Sequence, residues 1–175
     1  GPLVQAQQSD EGKRLHAFFA EEWERSLREN PESASFEGDR RYNDRWTDNS
    51  PNAIAGREAA DREALARLKG FDRSKLAPAD QLNYDTFLWL QQKTVQRQTF
   101  REYLQPIGHQ GGVQNADGLI EGLAFNEARD YRDWLARMRA LPDAIDQTIA
   151  LMREGVKAGN VPPRVLMQRV PAQIA

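Results

Sequence analysis

Residues 10–29 read DEGKRLHAFFAEEWERSLRE, and their spacing decides the fold class. Leu15, Phe18, Phe19, Trp23 and Leu27 recur every three or four residues, which is one stripe of an α-helix. Ser9 or Asp10 can cap its start. Asn30-Pro31 stops it, because the residue before a proline is pushed out of the helical region. Lys13, Arg14, Glu21, Glu24, Arg25 and Arg28 occupy the other face, so one side packs and the other meets water. At ~1.5 Å per residue the helix spans ~30 Å.

The same reading extends along the chain. Pro31 to Phe36 can make one or two turns, closed by Gly38 as a left-handed cap. The segment Asp39-Arg40-Arg41-Tyr42-Asn43-Asp44-Arg45-Trp46 has no period; such charged loops hold themselves by local ion pairs. Ser50-Pro51 opens a helix over 51–69. Its apolar face (Ile54, Leu65, Leu68 and alanines) is thin, which predicts a place outside the bundle. The helix over 79–98 carries Leu82, Tyr84, Phe87, Leu88, Trp89, Leu90 and Val95 around more than one face, which predicts the most central position. Helices over 127–140 and 143–158 follow. Asn126 caps the first, Leu141-Pro142 makes the turn and Gly159 closes the second. Tyr131, Trp134, Leu135 and Met138 would meet Ile145, Ile149, Met152 and Val156 across an antiparallel hairpin. Trp23, Trp89 and Trp134 lie on helical stripes and are expected in the core. Trp46 sits in a polar loop and is expected to line a groove. No stretch alternates with period two. The expectation is an all-α, multi-helix array with helical hairpins.

Residues 1–8 read as a leader. Gly1-Pro2 resembles the scar of a cleavable tag, and Val4 and Ala6 fit a signal-peptide cleavage pattern with Gln7 as the mature start. That predicts an exported, periplasmic protein. Residues 9–175 are expected to form a single helical domain. At its end Val165, Leu166, Val170 and Ile174 follow helical spacing with no stop signal, as in a fragment of a longer chain.

Composition removes several chemistries. The 175 residues contain no Cys, so disulfides, thiolate zinc sites and thiol nucleophiles are absent. Two His cannot build a multi-His metal centre. A net charge of −2 gives no reason to expect nucleic acid or an anionic membrane as partner, and no apolar run approaches the ~18 residues of a membrane span. His16 has Gly12, Phe19 and Ala20 as helical neighbours, none a ligand. No H-E-x-x-H, G-K-[ST] or G-x-S-x-G occurs. Catalytic and metal-ligating residues are therefore expected nowhere in this chain.

The strongest break is Gln105-Pro106-Ile107-Gly108-His109-Gln110-Gly111-Gly112-Val113. Glycine lets backbone groups approach a ligand closely. Pro106, Gly108, His109, Gln110, Gly111 and Gly112, with Trp46, are the candidate lining of a substrate cleft; a plain inter-helix turn is the alternative.

The order of segments resembles a known family. The pieces are Phe18-Phe19-Ala20-Glu21-Glu22-Trp23 with Asn30-Pro31-Glu32, then Gly38 to Trp46, then Leu82-Asn83-Tyr84-Asp85. After them come Tyr103-Leu104-Gln105-Pro106-Ile107, Tyr131-Arg132-Asp133-Trp134-Leu135-Ala136-Arg137, Gln147 to Gly155, and Pro162-Pro163-Arg164-Val165-Leu166. Together they are similar to the bacterial domain-of-unknown-function 885 family. That resemblance implies a largely helical, gluzincin-like zinc metallopeptidase with a long cleft between two halves. It implies that this chain is a non-catalytic N-terminal part forming one wall of the cleft. Zinc would belong to the full-length parent, and the partners would be the C-terminal catalytic portion and a peptide substrate. A stand-alone helical binding module is the competing reading.

Overall fold

The computed structural model describes residues 9–108 and 111–174. The architecture is all-α. Helices α1 (Asp10–Glu29), α2 (Pro31–Phe36), α3 (Pro51–Lys69) and α4 (Pro78–Arg97) are followed by α5 (Ala128–Arg139) and α6 (Leu141–Ala158). The short α7 (Arg164–Met167) and α8 (Pro171–Ile174) come last. Several 3₁₀ turns intervene, the longest at Val113–Gly122. Among the described residues there is no strand, only an isolated bridge between Gly108 and Gly111. Among the described residues no helix is long and apolar enough to cross a membrane. The leader and its cleavage pattern lie outside the described residues.

The chain divides into two compact units. Of the described residues, unit 1 takes those up to 26 and 55–99, and unit 2 takes 27–54 and those from 100 onward.

Unit 1 packs α1, α3 and α4. Ser9 is the cap of α1: its Oγ accepts the Gly12 amide at 3.0 Å. The core joins Leu15, Phe18, Ala64, Leu68, Leu76 and Tyr84, with Phe19, Phe71, Phe87 and Leu88 against it. Phe87 meets Phe18 edge-on at 5.8 Å and Phe19 at 5.1 Å between ring centroids. Each fully buried Leu or Phe contributes about 1.5–3 kcal/mol. Two expectations are reversed here. Helix α3 is not peripheral, since Ala64 and Leu68 are buried; small alanines let a neighbouring helix come close. Helix α4 is not the most enclosed. Its Asp80–Tyr84–Phe87–Leu88–Gln91 stripe packs, while Leu82, Trp89 and Leu90 are exposed. A unit of three helices has one interior, so an apolar belt around a helix cannot all enter it. Trp23 is also 52% exposed.

Unit 2 buries Ile54, Leu104 and Leu151, with Tyr103 packed beside them. Gly155 makes this possible. A Cβ there would lie 2.7 Å from the carbonyl oxygens of Leu104 and Asn160, so α6 rests directly on the Glu102–Leu104 turn. Gly159 (φ 67°) ends α6 in the left-handed region, as its position predicts.

The hairpin differs in detail from its sequence reading. Glu127, not Asn126, is the N-cap of α5, in a reciprocal capping box with Asp130. Leu141 and Pro142 belong to the first turn of α6, which is joined to α5 through Ala140 alone. The buried residues are Asp130 and Arg137 of α5 and Thr148, Leu151 and Gly155 of α6. The apolar stripes stay in solvent: Tyr131, Leu135, Met138, Ile145, Ile149 and Val156 are exposed, and Trp134 is half-buried. At the end, Pro171 breaks the expected continuous helix into α7 and α8 because it lacks an amide donor. Val170 is buried and Val165 exposed; the Ile174 side chain lies outside the described set.

Two glycine replacements should act in opposite directions. Gly155→Ala forces a methyl into two carbonyl oxygens and is expected to cost about 1–3 kcal/mol. Gly56→Ala, in α3 with nothing within 4 Å of the new Cβ, should stabilise by up to about 1 kcal/mol. Urea unfolding of both variants checks the pair.

Candidate functional site

The site is built in unit 2 from the segment that follows α1. Pro31 starts α2 at a position where its missing amide costs nothing. Gly38 (φ 83°) turns the chain out of α2. Asp39 then caps the Arg40–Tyr42 turn by accepting the Arg41 amide at 3.0 Å. The Arg41 guanidinium and amide hold the Asp39 carboxyl below its ordinary range. Asp44 is lowered in the same way by the adjacent Arg45. The loop thus secures itself by local ion pairs, as its composition predicts.

Arg137 of α5 enters this loop with none of its surface exposed. Its Nε donates to the Arg45 carbonyl at 2.8 Å. Its terminal nitrogens donate to Ser35 Oγ at 3.0 Å, the Tyr42 carbonyl at 2.8 Å and the Pro31 carbonyl at 3.3 Å. Burial pushes the Arg137 pKa down, and the nearby carboxylates Glu32 and Asp44 oppose that shift. Trp46 closes the arrangement. Its indole N–H donates to the Arg137 carbonyl at 2.7 Å, and the guanidinium carbon lies 5.5 Å from the ring centroid.

Asp130, two turns before Arg137 on α5, is the second buried polar anchor. It accepts the amides of Asn126 and Glu127 and bonds the Arg40 guanidinium. Burial alone would raise its pKa; the two amides and Arg40 outweigh that and leave it below the ordinary carboxylate value.

Around this frame opens a concavity of about 580 Å³. Glu32 and Phe36 come from α2, and Trp46, Thr47 and Asn49 from the loop. Pro106, Gly112 and the Val113–Gly122 turn form another side, with Ala144 and Thr148 of α6. Three of the sequence-predicted residues, Trp46, Pro106 and Gly112, therefore share one lining. Gly112 (φ 145°) holds a backbone conformation that favours glycine, and a Cβ there would sit 2.3 Å from Gln114 Oε1. Gln114 Nε2 donates to the Gly108 carbonyl at 2.8 Å, tying down the near side of the loop. Gly108 and Gly111 exchange backbone bonds at its neck. His109 and Gln110 lie outside the described residues.

Several lining polar groups are bonded within the protein, while the Asn115 side chain adds an amide to the lining. Glu32 accepts the Thr47 amide at 3.1 Å and its hydroxyl at 2.5 Å. The Thr148 hydroxyl donates to the Ala144 carbonyl at 2.9 Å. Among the described residues no group of three or more His, Cys, Asp or Glu is placed to hold a metal ion. His16 contacts one carboxylate, with Nε2 2.6 Å from Asp80 Oδ1.

Sequence reading missed Glu32, Phe36, Ala144, Thr148 and Arg137. For Arg137 a signal existed: Asp130 and Arg137 are two helical turns apart, so they share a face of α5. Nothing in the spacing of the others points to a common focus.

Replacing Arg137 by Met leaves three carbonyls and a hydroxyl without this donor; the expected loss is on the order of 3–5 kcal/mol. Arg137→Lys should also destabilise strongly, because an ammonium cannot reproduce the planar fork. Denaturant unfolding followed by Trp fluorescence measures both. Since the Asp130 pKa is lowered in the fold, its contribution is present above the ordinary carboxylate value of about 4 and is lost as pH falls through the lowered value. Asp130→Asn should therefore lower the melting temperature at pH 7, with the gap to the parent narrowing below about pH 4.

No curated protein and no solved structure matches the chain. The family model described as "Bacterial protein of unknown function (DUF885)" matches residues 31–175, which includes every residue lining the concavity. The chain belongs to this family of bacterial proteins.

Proposed function

We propose that this chain is a non-catalytic wall of a peptide-binding cleft in a gluzincin-like zinc peptidase. The observation that carries the reading is the unit 2 concavity, where Trp46, Pro106 and Gly112 come together from distant parts of the sequence. Aromatic and backbone-rich linings on a helical scaffold suit peptide binding. The described residues do not fit a zinc site, because His16 has one carboxylate partner and no further ligand cluster exists. On this reading zinc and the hydrolytic groups belong to the catalytic portion of the parent protein, and this chain binds and orients the peptide. The Val4 and Ala6 pattern supports export to the periplasm.

A stand-alone interaction module is the second reading. It is favoured by the groove of about 780 Å³ in unit 1, lined by Trp23, Leu82, Phe87 and Leu90.

The experiment uses the full-length protein with its metal. Trp46→Phe keeps an aromatic ring in the lining but removes the indole donor to Arg137. Peptide kcat/KM should fall about tenfold, carried by KM, while zinc content stays constant. Unchanged kinetics per folded molecule, or a protein that neither contains zinc nor cleaves peptides, would overturn the cleft reading.

A further inference from the structure

We infer that the unit 2 concavity takes a neutral aromatic side chain of a peptide; the inference rests on the cleft reading above and adds the class of residue recognised. Size is the first reason. About 580 Å³ falls in the range of small-ligand sites and leaves room for an aromatic ring.

Charge is the second reason. The carboxylate in the lining, Glu32, is engaged at both oxygens by Thr47. The cation behind the lining, Arg137, donates to three carbonyls and a hydroxyl. The two charges have opposite sign, so the pair offers no net countercharge. A ligand ammonium or carboxylate buried here would go uncompensated. A cation meets a further penalty, because the Trp46 ring already has a guanidinium 5.5 Å from its centroid.

The third reason is what the lining leaves available. The Trp46 N–H and the Thr148 hydroxyl are bonded internally, so these groups present contact area rather than directed hydrogen bonds. Phe36 is 65% exposed at the edge. A Cβ on Gly122 would lie 2.9 Å from the Phe36 ring, so the glycine leaves room for that ring at its place. Two aromatic rings around a neutral space favour a third by offset or edge-on packing.

The test titrates the isotope-labelled chain with four blocked tripeptides and follows the Trp46 indole N–H by NMR. Glycine flanks a central phenylalanine, leucine, lysine or glutamate. The phenylalanine peptide should bind about fivefold tighter than the leucine peptide and at least about tenfold tighter than either charged one. Ala144→Phe, which fills the concavity from α6, should abolish that binding, and Leu82→Ala in the unit 1 groove should leave it unchanged. If Ala144→Phe fails to fold, Phe36→Ala at the exposed edge replaces it, with at least about a threefold loss expected. Binding of all four peptides with equal affinity, abolished by Ala144→Phe, would overturn the aromatic assignment and leave the cleft reading standing. No binding by any of the four would overturn both. Binding that responds to Leu82→Ala and not to Ala144→Phe would move the site to unit 1 and overturn both.

Discussion

The Arg137 guanidinium, wholly removed from water, fixes unit 2. Carbonyls from Pro31, Tyr42 and Arg45 converge on it from the turn of α2 and the loop beyond. A buried charge without hydrogen-bond partners would cost several kcal/mol, so the loop must keep the one shape that supplies them. In turn the loop's own amides and ion pairs are arranged so that those carbonyls point inward. Trp46 then docks on the arginine by its indole N–H, and the position of its ring follows from the arginine. The frame beside the unit 2 concavity is thus held by a buried polar keystone.

Much of the helical architecture was legible because its signals are local. The stripe from Leu15 to Leu27, Pro at helix starts and Gly38 and Gly159 at helix ends each act within one or two turns, and the structure follows them. Which helix faces were covered was not legible. Leu82, Trp89 and Leu90 read as core by residue type, yet they are exposed because Tyr84 and Leu88 on the same helix already fill the single interior of unit 1. On α5 the apolar stripe predicted the buried face, and the fold buries Asp130 and Arg137 instead. Hydrophobic periodicity identifies a helix without identifying its neighbour.

Part of the concavity's lining was legible through unusual local chemistry. Trp46 stood out as an aromatic in a polar loop, and Gly112 as part of a glycine-rich break. Glu32, Ala144 and Thr148 carried no such mark, because an acid in a first turn and a small residue on a helix are ordinary. Their place in the lining comes from tertiary packing, which joins α2, α6 and the Val113–Gly122 turn around one space.

The arginine bonds also connect residues far apart in the chain. The donors on Arg137 and their acceptors are separated by 92 to 106 positions. Contacts of that separation carry a large loop-closure entropy and form late in folding. During synthesis, the Pro31, Tyr42 and Arg45 carbonyls lack the Arg137 donor until α5 has left the ribosome. The segment bearing Trp46 therefore emerges with its local caps and ion pairs available and its partner on α5 still absent. The last ties of this loop await a distant side chain, and a chain interrupted before residue 137 would lack the donor that joins the loop to α5.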